Sequence, residues 1–136
     1  MPDKNLLIID DDREIVQALT VRLQAAGYKT LVAFDGQAGV DIATATQPYA
    51  IVLDIRMPRL GGLGTLARLR KLDATASLPV VMLSASAGDA QRALALGADY
   101  FLEKPYSATN LLAAIEAAAG DRHCKNGIPS CQRNES

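Results

Sequence analysis

Residues 51–62 read IVLDIRMPRLGG, an apolar run that ends on Asp54 and passes through a proline into a pair of glycines. Such a run, bounded by turn residues, fits a strand buried on both faces of a parallel sheet. Similar runs recur on either side. The expected strands are Leu6 to Asp10, Lys29 to Ala33, Ala50 to Asp54, Val80 to Ser84 and Tyr100 to Glu103. Stretches with helical periodicity separate them, as in repeated βα units. In the first, Ile15, Leu19, Leu23 and Ala26 share a face, Asp11 or Asp12 can cap the start, and Gly27 ends it. The other helices are expected over about Gly36 to Thr46, Gly62 to Leu72, Asp89 to Leu96 and Ser107 to Ala119, the last turning Leu111, Leu112, Ile115 and Ala118 to the core.

With 136 residues, 49% of them hydrophobic, the chain is sized for one folded domain. Residues 1–120 are expected to form it, and 121–136 to be a disordered tail or the start of a linker. Lys+Arg number 14 and Asp+Glu 15, so no overall field favours nucleic acid or an anionic membrane. No stretch reaches the ~20 apolar residues of a membrane span, and the N-terminus lacks the form of a signal peptide, so a cytoplasmic location is expected. Cys124 and Cys131 match no zinc or redox spacing and read as free thiols, and His123 beside Cys124 does not complete a metal site.

The acids carry the chemistry. Asp10 and Asp11 follow the first strand and Asp54 ends the third, so all three lie at the carboxyl edge of the sheet, where open parallel sheets bind ligands. If strands 1 and 3 are neighbours, as in the order 2-1-3-4-5, the carboxylates converge. At about 5 Å each pair repels by ~3 kcal/mol for an effective dielectric near 20, which calls for a divalent cation. All-oxygen ligation with few protein ligands favours Mg2+, with Mn2+ as a substitute. Ser84 and Lys104 reach the same edge, one a hydroxyl and the other an ammonium suited to the oxygens of a tetrahedral anion. Singly, each residue has an ordinary explanation as a helix cap, a strand end or a solvated charge. Four strand ends supplying Asp, Asp, Ser and Lys together describe a site that receives phosphate on a carboxylate.

LLIIDDD, IVLDIRMPRLGG, VVMLSAS and GADYFLEKPY, in this order over about residues 5 to 120, resemble the receiver domain of two-component response regulators. The resemblance implies a flavodoxin-like (βα)5 fold, a three-layer α/β sandwich around a five-stranded parallel sheet in order 2-1-3-4-5. It implies that Asp54 is the phosphoacceptor, taking its phosphoryl group from a sensor histidine kinase or a histidine phosphotransfer protein. Asp11, Asp54 and the backbone carbonyl of Arg56 would ligate Mg2+, Asp10 would act through a water, and Lys104 would bind a phosphoryl oxygen. Asp12 is left to helix capping. Ser84 and Phe101 would be the switch, altering the surface of the fourth helix, fifth strand and fifth helix that meets an output partner. The Lys104–Pro105 bond would be cis.

Such a module is no enzyme on a separate substrate, since it catalyses only its own phosphorylation and dephosphorylation. A weak or phosphorylation-dependent homodimer is compatible with it, and no nucleic-acid or membrane contact is expected. Gly61 stands where the family often has Asp, which suggests a looser loop, whereas Gly62 fits the pattern. Arg56 and Ser86, two positions after the nucleophile and the switch hydroxyl, should border the path of an attacking water, and bulky Arg56 should slow phosphoryl hydrolysis. Two alternatives are a haloacid-dehalogenase-like phosphatase using Asp10 and Asp12, which lacks the later acidic pair, and a docking domain without phosphorylation. A nucleotide carrier would want a glycine-rich loop where DDDRE stands.

Overall fold

The computed structural model describes residues 4–57 and 60–125, with side chains through Gly120. Five strands, β1 (Asn5–Ile9), β2 (Lys29–Ala33), β3 (Ala50–Asp54), β4 (Val80–Ser84) and β5 (Tyr100–Glu103), alternate with five helices, α1 (Arg13–Ala25), α2 (Gly36–Thr46), α3 (Gly61–Lys71), α4 (Ala90–Ala95) and α5 (Ala108–Lys125). The sheet is parallel in the order β2-β1-β3-β4-β5. This is the expected α/β fold.

Both faces of the sheet are covered, so alternate residues of one strand serve different cores. Leu7, Ile9, Leu53 and Met82 pack with Val40, Leu66, Leu69 and Ala93 from α2, α3 and α4. Leu6, Ile8, Val52 and Leu83 pack with Leu19, Leu23, Leu111, Ile115 and Ala118 from α1 and α5. At about 1.5–3 kcal/mol for each large apolar side chain buried, these two layers hold the sheet flat-on between the helices. Leu112 is partly buried against the second layer, so the face expected of the last helix is the one it uses.

Polar groups fix the ends. Asp12 accepts from the amides of Glu14 and Ile15 at 3.0 and 3.3 Å, capping α1. Asp35 does the same for α2 through Ala38 N at 2.8 Å. Gly27, at φ 100°, turns the chain out of α1. Arg70 was not foreseen: its guanidinium, with the side chain 14% exposed, donates to the carbonyls of Gly97, Ala76 and Leu78 at 3.0, 3.1 and 2.7 Å and pairs with Asp99 at 3.2 Å. It ties α3 to the loops that flank β4 and β5 on the far side from the acids.

Boundaries differ from expectation where the periodic pattern is silent. β1 ends at Ile9, so Asp10 lies just past the strand. The segment before α4 winds first into a 3-10 turn, Ala87–Asp89. The last helix continues past Ala119 to Lys125, into the stretch expected to be a tail. Residues 126–136, with Cys131, lie outside the described residues, as do the side chains of His123 and Cys124. Among the described residues no helix is long and apolar enough to cross a membrane.

Candidate functional site

The register places the acids together. Ile9 pairs with Leu53 across β1 and β3, so the residues that follow, Asp10 and Asp54, leave the sheet side by side. One oxygen from each of Asp10, Asp11 and Asp54 lies within 4.8 Å of the others. Asp10 and Asp54 are buried, at 2% and 3% exposure, while Asp11 faces solvent. Three carboxylates this close repel strongly in a low-dielectric setting.

Lys104, just beyond β5, supplies part of the compensation. Its Nζ lies 2.6 Å from Asp54 Oδ1. Burial raises the Asp54 carboxyl above its ordinary value despite the opposing lysine and the Arg56 amide. Burial alone would lower Lys104, but the bond to Asp54 and the charges of Asp54 and Asp10 outweigh it and hold the ammonium above its usual range. Asp10 is pushed up to about 6, by burial first, with the amide of Asp12 opposing and the charge of Asp54 assisting. Its Oδ1 accepts the Asp12 amide at 3.0 Å, whereas Oδ2 is buried with no hydrogen-bond partner among the described residues. An unpaired buried carboxylate oxygen is costly, and a cation held between Asp10, Asp11 and Asp54 would satisfy it. The donor set fits Mg2+.

Ser84 reaches this edge at the end of β4, between the strands that carry Asp54 and Lys104. Its hydroxyl, however, donates to Asp89 Oδ2 at 2.7 Å. The Ser86 amide donates to Ser84 Oγ at 3.0 Å. Arg56 directs its guanidinium to the same acid, with Nη2 3.3 Å from Asp89 Oδ2. The hydrogen bond from Ser84 holds the Asp89 carboxyl below the usual range, against its burial and with help from Arg56 and Arg92. Phe101, facing the α2–α4 side, is only partly buried. The Lys104–Pro105 peptide is cis. Gly61 adopts φ 70°, a conformation that favours glycine, and Gly62 packs its backbone against the end of β3.

The structure thus gathers Asp10, Asp11, Asp54 and Lys104, and places Ser84 and Arg56 at the rim with their side chains turned to Asp89. Asp89 was the residue that sequence reasoning missed. An acid at the start of a helix reads as a cap, and its five-residue separation from Ser84 was the available signal.

The model of the response regulator receiver domain matches residues 6–116. The chain is 38% identical over 114 residues to the DNA-binding dual master transcriptional regulator RpaA of Synechocystis sp., covering 82% of this chain and 47% of that protein. It is 39% identical over 114 residues to the transcriptional regulatory protein PrrA of Mycobacterium leprae, covering 82% and 48%. The chain therefore spans about half the length of the curated relatives it matches. Among solved structures, the chemotaxis protein CheY4 of Vibrio cholerae superposes with a TM-score of 0.79 at 28% identity, over 86% of this chain and 99% of that one. With its sheet order, its acids at the carboxyl edge and this match over most of its length, the chain belongs to the response regulator receiver domain family.

Proposed function

We propose that Asp54 is the phosphoacceptor of this receiver domain and that the chain takes its phosphoryl group from a phosphohistidine on a sensor histidine kinase or a histidine phosphotransfer protein. The observation that carries the reading is the gathering of Asp10, Asp11 and Asp54 at the carboxyl edge of the sheet, with Lys104 bonded to Asp54. Receiver domains are signalling modules that bind Mg2+ at such an acidic cluster. In this chain Asp11, Asp54 and the Arg56 carbonyl would hold the ion, with Asp10 acting through a water, and Mn2+ could take its place. The cation supplies charge neutralisation at the incoming phosphoryl oxygens.

The chain's own groups do the rest. An Asp54 carboxylate oxygen forms the new O–P bond as the N–P bond to the donor imidazole breaks, and the imidazole leaves with the electron pair and takes up a proton. Lys104 exchanges its bond to the free carboxylate for one to a phosphoryl oxygen, so the ammonium stays paired throughout. Ser84 then turns toward the phosphoryl group and Phe101 moves into the vacated space. Because Phe101 has no hydroxyl, its two positions differ in apolar burial, and the α4-β5-α5 surface carries the change to an output partner. Catalysis is confined to the domain's own phosphorylation and dephosphorylation. A cytoplasmic location and the absence of direct nucleic-acid or membrane contact by this stretch of chain belong to the same proposal. The family match does not favour the phosphatase built on Asp10, nor the docking domain without phosphorylation.

The test is incubation with Mg2+ and either acetyl phosphate or beryllofluoride, read by intact mass and by the NMR signals of the Phe101 region. Gain of one phosphoryl group in the wild type and none in Asp54→Asn is expected. An unmodified wild type with no spectral shift overturns the reading.

A further inference from the structure

Asp89 is 2% exposed and stands immediately before α4, yet its side chain accepts nothing from the amides of that helix. It is not a cap. Oδ2 takes the Ser84 hydroxyl at 2.7 Å and faces Arg56 Nη2 at 3.3 Å, while Oδ1 faces Arg92 Nη2 at 3.4 Å. One buried acid therefore links the end of β4, the loop after β3 and the start of α4.

A serine hydroxyl has a single proton to donate. While Asp89 holds it, Ser84 cannot donate to an oxygen on Asp54. We propose that Asp89 is a positioning residue that keeps the Ser84 hydroxyl in its unphosphorylated orientation, so that a phosphoryl group on Asp54 must win this proton from a buried carboxylate. The proposal rests on the reading of Asp54 as phosphoacceptor and adds to it the group that sets the resting state. Two features suit Asp89 to the task. Its arginine partners remain when Ser84 departs, so the acid is never left as an uncompensated buried charge. The Ser86 amide bonded to Ser84 Oγ makes the hydroxyl part of the turn leading into α4, so its release is felt there.

Asparagine has nearly the shape of aspartate but offers a neutral acceptor, and charge-assisted hydrogen bonds are roughly twice as strong as neutral ones. Asp89→Asn should shift the switch toward its active arrangement. The full chain, with excess Mg2+, is titrated with beryllofluoride as wild type, Asp89→Asn, Ser84→Ala and the double variant, read by amide NMR shifts. With Ser84 present, Asp89→Asn is expected to lower the apparent Kd about threefold to tenfold. In the Ser84→Ala background the gain should vanish. An equal gain in both backgrounds would assign the effect to the freed charge of Arg56 and Arg92 and overturn the proposal, as would no gain in either. Wild type that binds no beryllofluoride overturns the phosphoacceptor reading and the latch with it, whereas wild-type binding without a Ser84-dependent gain overturns the latch alone. Should Asp89→Asn fail to fold, a crystal structure of the wild-type beryllofluoride complex decides: Ser84 Oγ is expected to have left Asp89, and retention of that hydrogen bond overturns the proposal.

Discussion

Lys104 Nζ meets Asp54 Oδ1 at 2.6 Å although their strands, β5 and β3, are separated by β4. Two strand spacings are about 10 Å, so the lysine spans the end of the intervening strand, and Ser84 ends that strand between the two charges. Lys104→Met should leave the buried Asp54 beside two other carboxylates with no ammonium. An expected loss of about 1–3 kcal/mol at neutral pH, discounted because the lysine is partly exposed, is measurable by urea denaturation in EDTA. Phosphorylation by acetyl phosphate should slow at least about tenfold, and a variant with wild-type rate and stability would remove Lys104 from the site.

Asp10 gives a pH signature of opposite sign to an ordinary paired carboxylate. Its pKa is about 6 in the fold against an ordinary 3.8, so the folded chain binds the proton more tightly than the unfolded one. Stability of the metal-free protein from this group is present below about pH 4 and lost as pH rises through 6. Asp10→Asn should raise stability at pH 7 in EDTA by about 1–3 kcal/mol and remove that part of the pH dependence. Mg2+ should stabilise the wild type more than the variant, which keeps Asp11 and Asp54 but has no charge at position 10 to neutralise, and equal response of both proteins to the ion would contradict the assignment.

Arg56, two residues after Asp54, turns its guanidinium to Asp89 at 3.3 Å. If its bulk restrains an attacking water, Arg56→Ala should shorten the lifetime of the phosphorylated protein by roughly threefold or more. Decay is followed by intact mass after removal of the phosphodonor, and an unchanged rate would sink the idea.

Gly62 offers a test of the scaffold. A Cβ there would stand 2.2 Å from the Asp54 carbonyl oxygen and 2.5 Å from Ile55 Cα, both backbone atoms that cannot swing aside. Gly62→Ala should cost about 2–4 kcal/mol and weaken Mg2+ binding, because the clash displaces the end of β3 itself. Gly120→Ala on α5, with nothing within 4 Å of the added atom, should be neutral or slightly stabilising. Thermal or urea unfolding of the pair checks the contrast.

Much of this site was legible because parallel βα units leave little freedom. Buried strands such as VVML and IVL announce themselves by composition, and every strand of a parallel sheet delivers its last residue to one edge. Asp54, Ser84 and Lys104 could therefore be assigned to that edge from their places at the ends of apolar runs. The cap at Asp12 was equally local, since it needs only amides two and three residues on. At Gly61 the departure from the family pattern suggested a looser loop, and the backbone there, at φ 70°, uses glycine's own freedom.

The sequence by itself determined the periodicities, the sheet edge and the identity of the acids, because each follows from a chain and its near neighbours. Tertiary structure alone decided which way the rim side chains turn. Ser84 donates its hydrogen bond to Asp89, and Arg56 reaches the same acid from the loop after β3, more than thirty residues away, beside the nearby Arg92. Arg70 likewise reaches carbonyls up to 27 residues away. Buried polar groups must find partners wherever packing brings them, and that pairing is settled only once the whole fold has closed.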